Sequence, residues 1–148
     1  MTDVAGVTSR MIGHDLLEVA HPVVPAGSHA MIRLLELPPG DPGIGPHRHS
    51  GPVFGYMVEG EMLFELEGKA PYRIAAGEAF WEPGGDVIHY TAANLLPDRT
   101  SRFVVVMLCA PGVPMLTMVG DDELAAKQSS RIPAPTSSGR GQEEVLPG

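Results

Sequence analysis

The clearest pattern along the chain is a period of two. In residues 61–68, EMLFELEG, Met62, Phe64 and Leu66 fall on one face and Glu61, Glu65 and Glu67 on the other, with Leu63 the one exception. That is the signature of a half-buried strand with a solvated acidic face. Residues 101–111, SRFVVVMLCAP, form a β-branched run in which Val104, Val105 and Val106 stand together, which predicts burial on both faces. HAMIRLLEL at 29–37, VFGYMVEG at 53–60 and YRIAAGEAFWEPGGDVIHY at 72–90 add further short strands, broken at Gly60, Gly77 and the Pro83-Gly84-Gly85 turn. Seven or more short strands with regular turn signals predict an all-β sandwich or barrel.

The pattern also sets the organisation. Residues 1–22 are poorly periodic and read as an N-terminal arm, with 12–19, IGHDLLEV, the one candidate edge strand. Residues 23–118 read as the barrel. Beyond Met118 the alternation stops: GDDELAAKQSS predicts a short helix, and residues 130–148 are too rich in Pro, Ser and Gly to bury much surface, so 119–148 reads as a short helix followed by a flexible, disordered tail.

Composition sharpens this picture. A chain of 148 residues is long enough for one domain with a real core. The 18 glycines and 15 prolines imply many turns and few long helices. A net charge of −8 and a pI near 5.1 speak against a nucleic-acid partner and against docking on anionic lipid. Cys109 is the only cysteine, so no internal disulfide forms, and its apolar setting predicts a buried core thiol. The first residues lack the basic start and apolar stretch of a signal peptide, and no apolar run approaches the ~20 residues of a membrane span. A cytoplasmic, reducing setting is the expectation.

The candidate chemistry lies in three histidines. His47 and His49 stand one residue apart in PHRHSGP, and His89 closes EPGGDVIHY. On an extended segment a His-x-His pair presents both imidazoles to one side, and neutral imidazole is the commonest ligand for zinc, copper, iron and nickel. The stretch PPGDPGIGP, with four prolines and three glycines in nine residues, delivers the chain to His47. Read singly, the pair could be exposed loop histidines and His89 a satisfied core histidine. His14, His21 and His29 belong to no motif and read as surface residues. Tyr56, Trp81 and Tyr90 are candidates to stack on a substrate, or else to pack in the core or a subunit interface. Met57, Met62 and Phe64 are core candidates first and pocket walls second. Arg33, Arg73 and Arg102 could receive a substrate carboxylate if one points inward, whereas Arg48 alternates away from the two ligands.

Together these segments resemble the cupin family over roughly residues 23–118. The first cupin motif runs Gly, five residues, His-x-His, three or four residues, Glu, six residues, Gly; here His47, His49 and Gly60 match, and Ile44-Gly45-Pro46 approximates the approach. The second runs Gly, five residues, Pro-x-Gly, two residues, His, three residues, Asn; here Gly77, Pro83 and Gly85 match, His89 comes one residue late, and Asn94 one later again. The resemblance implies a double-stranded β-helix, or jelly-roll, barrel, a divalent metal on His47, His49 and His89, and a homodimer. One departure stands out: the acidic ligand slot, counted back from Gly60, holds Val53. The site therefore resembles the three-histidine version found in thiol and diketone dioxygenases; Glu82 is the nearest replacement carboxylate and the candidate catalytic residue, which by the resemblance would orient a ligand imidazole from behind, or else is a solvated turn residue before Pro83.

Three neutral imidazoles leave a dication uncompensated, which favours anionic chelators and acidifies a bound water. The first functional reading is thus an iron(II) oxygenase for a small chelating substrate, with Tyr56, Met57, Phe64 and Trp81 as substrate-binding candidates. Zinc, nickel or manganese are alternative metals. The alternative readings are a non-redox isomerase, lyase or cyclase, and a cupin that binds a small molecule or metal without catalysis.

Overall fold

The computed structural model describes residues 8–135; the distal part of the expected C-terminal tail, 136–148, lies outside the described residues, as do residues 1–7. Nine strands and one short helix follow in order: β1 (His29–Leu37), β2 (His47–His49), β3 (Val53–Glu59), β4 (Glu61–Leu66), β5 (Tyr72–Ala75), β6 (Ala79–Glu82), β7 (His89–Asn94), β8 (Ser101–Cys109), β9 (Leu116–Met118) and α1 (Asp121–Lys127). Residues 12–19 belong to no strand, and among the described residues regular structure begins at His29.

Two antiparallel sheets face each other, one with the order β1-β8-β3-β6 and one with the order β5-β4-β7-β2-β9. This is the jelly-roll arrangement that the short, alternating strands imply. The interior is built by strand parity. Along β8, Ser101, Phe103, Val105, Met107 and Cys109 point inward and are buried, while Arg102, Val104, Val106 and Leu108 point outward. Burial of the valine run on both faces is therefore corrected: Val105 is buried, whereas Val104 and Val106 lie half-buried on the outer face, since period two dominates hydrophobicity here. The core joins Val53, Met57, Met62, Phe64, Ile74, Phe80, Phe103, Val105, Met107 and Cys109 from both sheets, with Cys109 the buried thiol its setting predicts.

Two glycines are required by close approach. Gly60 turns β3 into β4 at φ 83°, and a Cβ there would fall 2.2 Å from Ser101 Oγ. At Gly84, φ 71°, a Cβ would meet the Gly51 carbonyl oxygen at 2.0 Å. The β6–β7 turn can thus lie directly on the chain leaving β2, and Gly85 N–H donates to the His49 carbonyl at 2.8 Å.

The outer faces of the sheets differ. Over the five-stranded sheet, α1 and the residues after it are held by ion pairs: Arg48 with Glu123, Lys127 with Glu67 and Arg131 with Glu65. Glu65, expected on a solvated face, is buried, because Arg131 grips both of its oxygens at 2.6 and 3.0 Å. The outer face of the four-stranded sheet exposes Ile32, Leu34, Tyr56 and Val58. Among the described residues no helix is long and apolar enough to cross a membrane.

Candidate metal centre

Register brings the two histidine motifs together. β2 pairs antiparallel with β7 so that His47 lies directly opposite His89, and His49 follows His47 by one full period on the same inner face. The ring centroids of His47 and His89 are 4.9 Å apart and those of His47 and His49 4.8 Å apart. One ligand atom from each of the three rings lies within 4.8 Å of the others.

The carboxylate enters from the other sheet. β3 pairs with β6 so that Glu82 sits opposite Val53. The acid missing from the expected slot is therefore present one strand away, on a strand that also points it inward. Glu82 Oε2 lies 3.1 Å from His89 Nδ1 and Oε1 lies 3.4 Å from His49 Nε2. Glu82, His47 and His89 are all buried.

Hydrogen bonds decide which ring nitrogens carry protons. His47 Nδ1 lies 2.7 Å from the Gly45 carbonyl and His89 Nε2 lies 2.9 Å from the Thr91 carbonyl. A carbonyl only accepts, so those nitrogens are the N–H donors and the opposite ones, His47 Nε2 and His89 Nδ1, present lone pairs. His47 Nε2 meets His49 Nε2 at 3.2 Å. His89 Nδ1 faces Glu82 without a directed hydrogen bond, and it and His49 Nδ1 are buried atoms lacking hydrogen-bond partners. A lone pair facing a carboxylate in a buried site is unfavourable unless a proton or a cation lies between them. Imidazoles anchored through their outer N–H to carbonyls, with free lone pairs converging, are the arrangement that suits a divalent cation. The donor set fits such an ion: His47, His49 and His89 are the residues that could hold it, with Glu82 alongside.

Electrostatics point the same way. Burial pushes the imidazoles of His47 and His49 below their ordinary pKa, so both are neutral and ligand-ready at neutral pH. Burial alone would raise the pKa of Glu82, but its contact with His89 and the fields of the three histidines outweigh that and hold it below the usual value, as a carboxylate.

These groups open into a cavity of about 370 Å³, a volume suited to a small molecule. Its walls are apolar: Val53, Met62, Phe64, Phe80, Phe103, Val105, Met107 and Met115 among others, with Arg33, Glu36 and Asp41 also on its lining. Of the four substrate-binding candidates, Phe64 lies on this wall and the other three do not. Tyr56 and Trp81 are placed outside by parity, since their neighbours Gly55 and Met57, and Phe80 and Glu82, take the inward positions; Trp81 stacks on Phe54 on the outer face, 6.1 Å between centroids. Met57 does point inward but is fully buried in the packed core away from the cavity. Tyr90, next to inward His89, lies on the opposite face of its sheet beneath the Arg131 guanidinium at 4.2 Å. Phe80 and Met107 line the cavity without having been singled out; alternation counted from Glu82 and from Val105 would have found both.

No curated protein sequence matches the chain. Among solved structures, a DMSP lyase DddQ from Ruegeria pomeroyi DSS-3 is similar at 21% identity over 61% of this chain and 43% of that one, TM-score 0.50. An RmlC-like cupin protein from Ralstonia eutropha JMP134 is similar at 20% identity over 67% of this chain and 57% of that one, TM-score 0.51. A cupin-like protein from Thermotoga maritima MSB8 is similar at 16% identity over 69% of this chain and 73% of that one, TM-score 0.51. The chain thus spans roughly half the length of the first two, and at these identities the likeness concerns the fold. The family model of the cupin domain matches residues 33–107, a little over half of the sequence, and contains all three histidines and Glu82. Fold, histidine pattern and family match agree: the chain belongs to the cupin family.

Proposed function

We propose that the protein is a metal-dependent enzyme for a small chelating molecule, and in the first instance an oxygenase holding iron(II) on His47, His49 and His89. The observation that carries this reading is the convergence of three imidazoles at one end of an apolar cavity, with the His47 and His89 rings each oriented by a carbonyl behind it. Bound there, iron(II) would supply activation of dioxygen, which the protein cannot supply itself. The residues do the rest. The histidines fix the cation, the Phe and Met walls exclude water from the reacting groups, and Glu82 is placed to hold or accept a proton from a substrate that reaches the metal.

Glu82 changes the charge argument drawn from three histidines alone. With its carboxylate beside two of the rings, one unit of a dication's charge is offset. This supports a second reading, a zinc or nickel lyase or isomerase in which the cation polarises a carbonyl and Glu82 is the base.

Metal analysis of protein purified without added metal, with oxygen uptake measured on panels of β-diketones, thiols and 2-oxo acids, separates the two. Iron with oxygen uptake is the expected result. Full zinc occupancy without uptake favours the second reading, and metal retained by a His89→Ala variant overturns the ligand assignment for both.

We also infer that two copies pair through the outer face of β1-β8-β3-β6. Ile32 and Leu34 are 72% and 58% exposed there, beside half-buried Val104, Val106, Phe54 and Trp81, an apolar patch that a monomer leaves in water. Sedimentation of a dimer by the wild type and of a monomer by the Ile32→Glu, Leu34→Glu variant is the expected outcome; a monomeric wild type overturns it.

A further inference from the structure

The sequence offers four arginines close to the motifs, and the structure separates one from the rest. Arg48 is bound at 2.8 Å by both oxygens of Glu123. Arg73 pairs with Glu61, and Arg102 with Glu36 and Glu59. Arg33 lines the cavity and, among the described residues, has no carboxylate within ion-pair distance. Parity explains the difference: Arg33 falls in register with Met31, Leu35 and Leu37, which are half-buried on the inner side of β1, and is itself exposed to solvent where it borders the cavity, whereas Glu36, which also borders it, is held by Arg102. The other acid near the cavity, Asp41, has Oδ1 occupied by the Gly43 N–H at 2.7 Å, closing the loop locally.

Register fixes where Arg33 stands relative to the metal centre. Arg33 is opposite Val105, Val105 is opposite Gly55, and Gly55 is opposite Phe80. Glu82 is the next inward residue on the same strand as Phe80. Arg33 is thus three strands across the sheet from Phe80, about 14 Å between backbones at the usual strand spacing, and Glu82 lies two residues, about 7 Å, further along β6, with Val105 and Phe103 of the apolar wall beside that path. The side chains of Arg33 and Glu82 border the same cavity and shorten that span to the length of a small molecule.

We propose that Arg33 binds the anionic far end of the substrate whose near end chelates at the histidine cluster. The substrate class is then a short acid with chelating oxygens at one end, an apolar middle and a carboxylate or comparable anion at the other. A guanidinium suits this task because it stays charged and offers a planar pair of donors to a carboxylate. The inference rests on reading the histidine cluster as a metal site, and the test keeps the two apart.

The probes are matched 2-oxo acids that differ only at the far end: 2-oxoglutarate against 2-oxopentanoate, and 2-oxoadipate against 2-oxohexanoate. Binding to cobalt(II)-loaded protein is followed by calorimetry and by the visible spectrum of the metal. Wild type should bind the diacid about tenfold more tightly than its partner in at least one pair, the value of one charge-assisted contact. Arg33→Gln should abolish that preference while leaving cobalt content and affinity for the monoacids unchanged, and Arg33→Lys should retain part of it. Equal affinities within both pairs on cobalt-loaded wild type, or a preference that survives in Arg33→Gln, overturns the role of Arg33 alone. Wild type that takes up no cobalt overturns the metal centre, and this inference with it.

Discussion

The two sheets share one interior and divide its work. The five-stranded sheet carries all three histidines, and its back is strapped: Arg48, between two of them, points outward to Glu123 and to the Asp86 carbonyl, and α1 and Arg131 are pinned to Glu67 and Glu65. The four-stranded sheet carries Glu82, Arg33 and the empty acidic slot at Val53, and among the described residues its back exposes the apolar Ile32, Leu34, Tyr56 and Val58 beside the Arg102 ion pairs with Glu36 and Glu59. Ligand strands clamped on their outer side hold imidazoles in fixed positions, as a preorganised site requires. The opposite sheet, which presents the groups expected to meet substrate, has its outer face free for another surface. The lesson is that the candidate metal centre is divided between a strapped half that carries the three imidazoles and a second half that supplies charge.

The comparison breaks first at the metal. His47→Ala should lose about a hundredfold or more in metal affinity, whereas Glu82→Gln, on the other sheet, should lose about tenfold; competition with a chromogenic chelator measures both. Equal losses would make the carboxylate a full ligand and erase the division. Next comes the packed end of the interior. Met57→Ala should cost about 2–5 kcal/mol in urea unfolding while leaving metal content unchanged, because it opens a void away from the cavity.

The strap is a smaller contribution. Arg131→Gln leaves buried Glu65 without its bidentate partner, and since Arg131 is itself one third exposed, water can take its place; about 1–2 kcal/mol is expected in the same unfolding assay. The smallest effect is in pH. The Lys127 ammonium bonded to Glu67 holds that carboxyl below its ordinary value of 4.5, and Arg48 does the same to Glu123. A carboxylate whose pKa is depressed by docking favours the docked state above the ordinary value and loses that contribution as pH falls through the docked one. Protection of residues 121–131 from hydrogen exchange should therefore fall below about pH 4.5, while β8 amides remain protected. Simultaneous loss in both places would show that the strap has no separate stability.

Much of this was legible residue by residue. Alternation in β4 and the turn glycines give strands and a barrel, and His-x-His with a third histidine at motif spacing gives the three-imidazole cluster. Alternation also held information at Trp81: with Glu82 inward, its neighbour is outward, and the same count removes Tyr56 and Tyr90 from the cavity. Glu65 is different. No local pattern marks it as buried, since its cover is Arg131, 66 residues away.

What the chain determined by itself is local and periodic: which faces are apolar, where glycine must turn the backbone, which imidazoles share a side. Each follows from geometry repeated every two residues. Only the tertiary structure decided which distant strands meet and in what register. It set Glu82 opposite Val53, placed Arg33 on the cavity with no carboxylate partner among the described residues while Arg48, Arg73 and Arg102 are paired, and folded residues 121–131 back over the histidine-bearing sheet. Those outcomes depend on long-range pairings whose energy lies in packing and charge between segments, and a pattern read along one segment does not contain it.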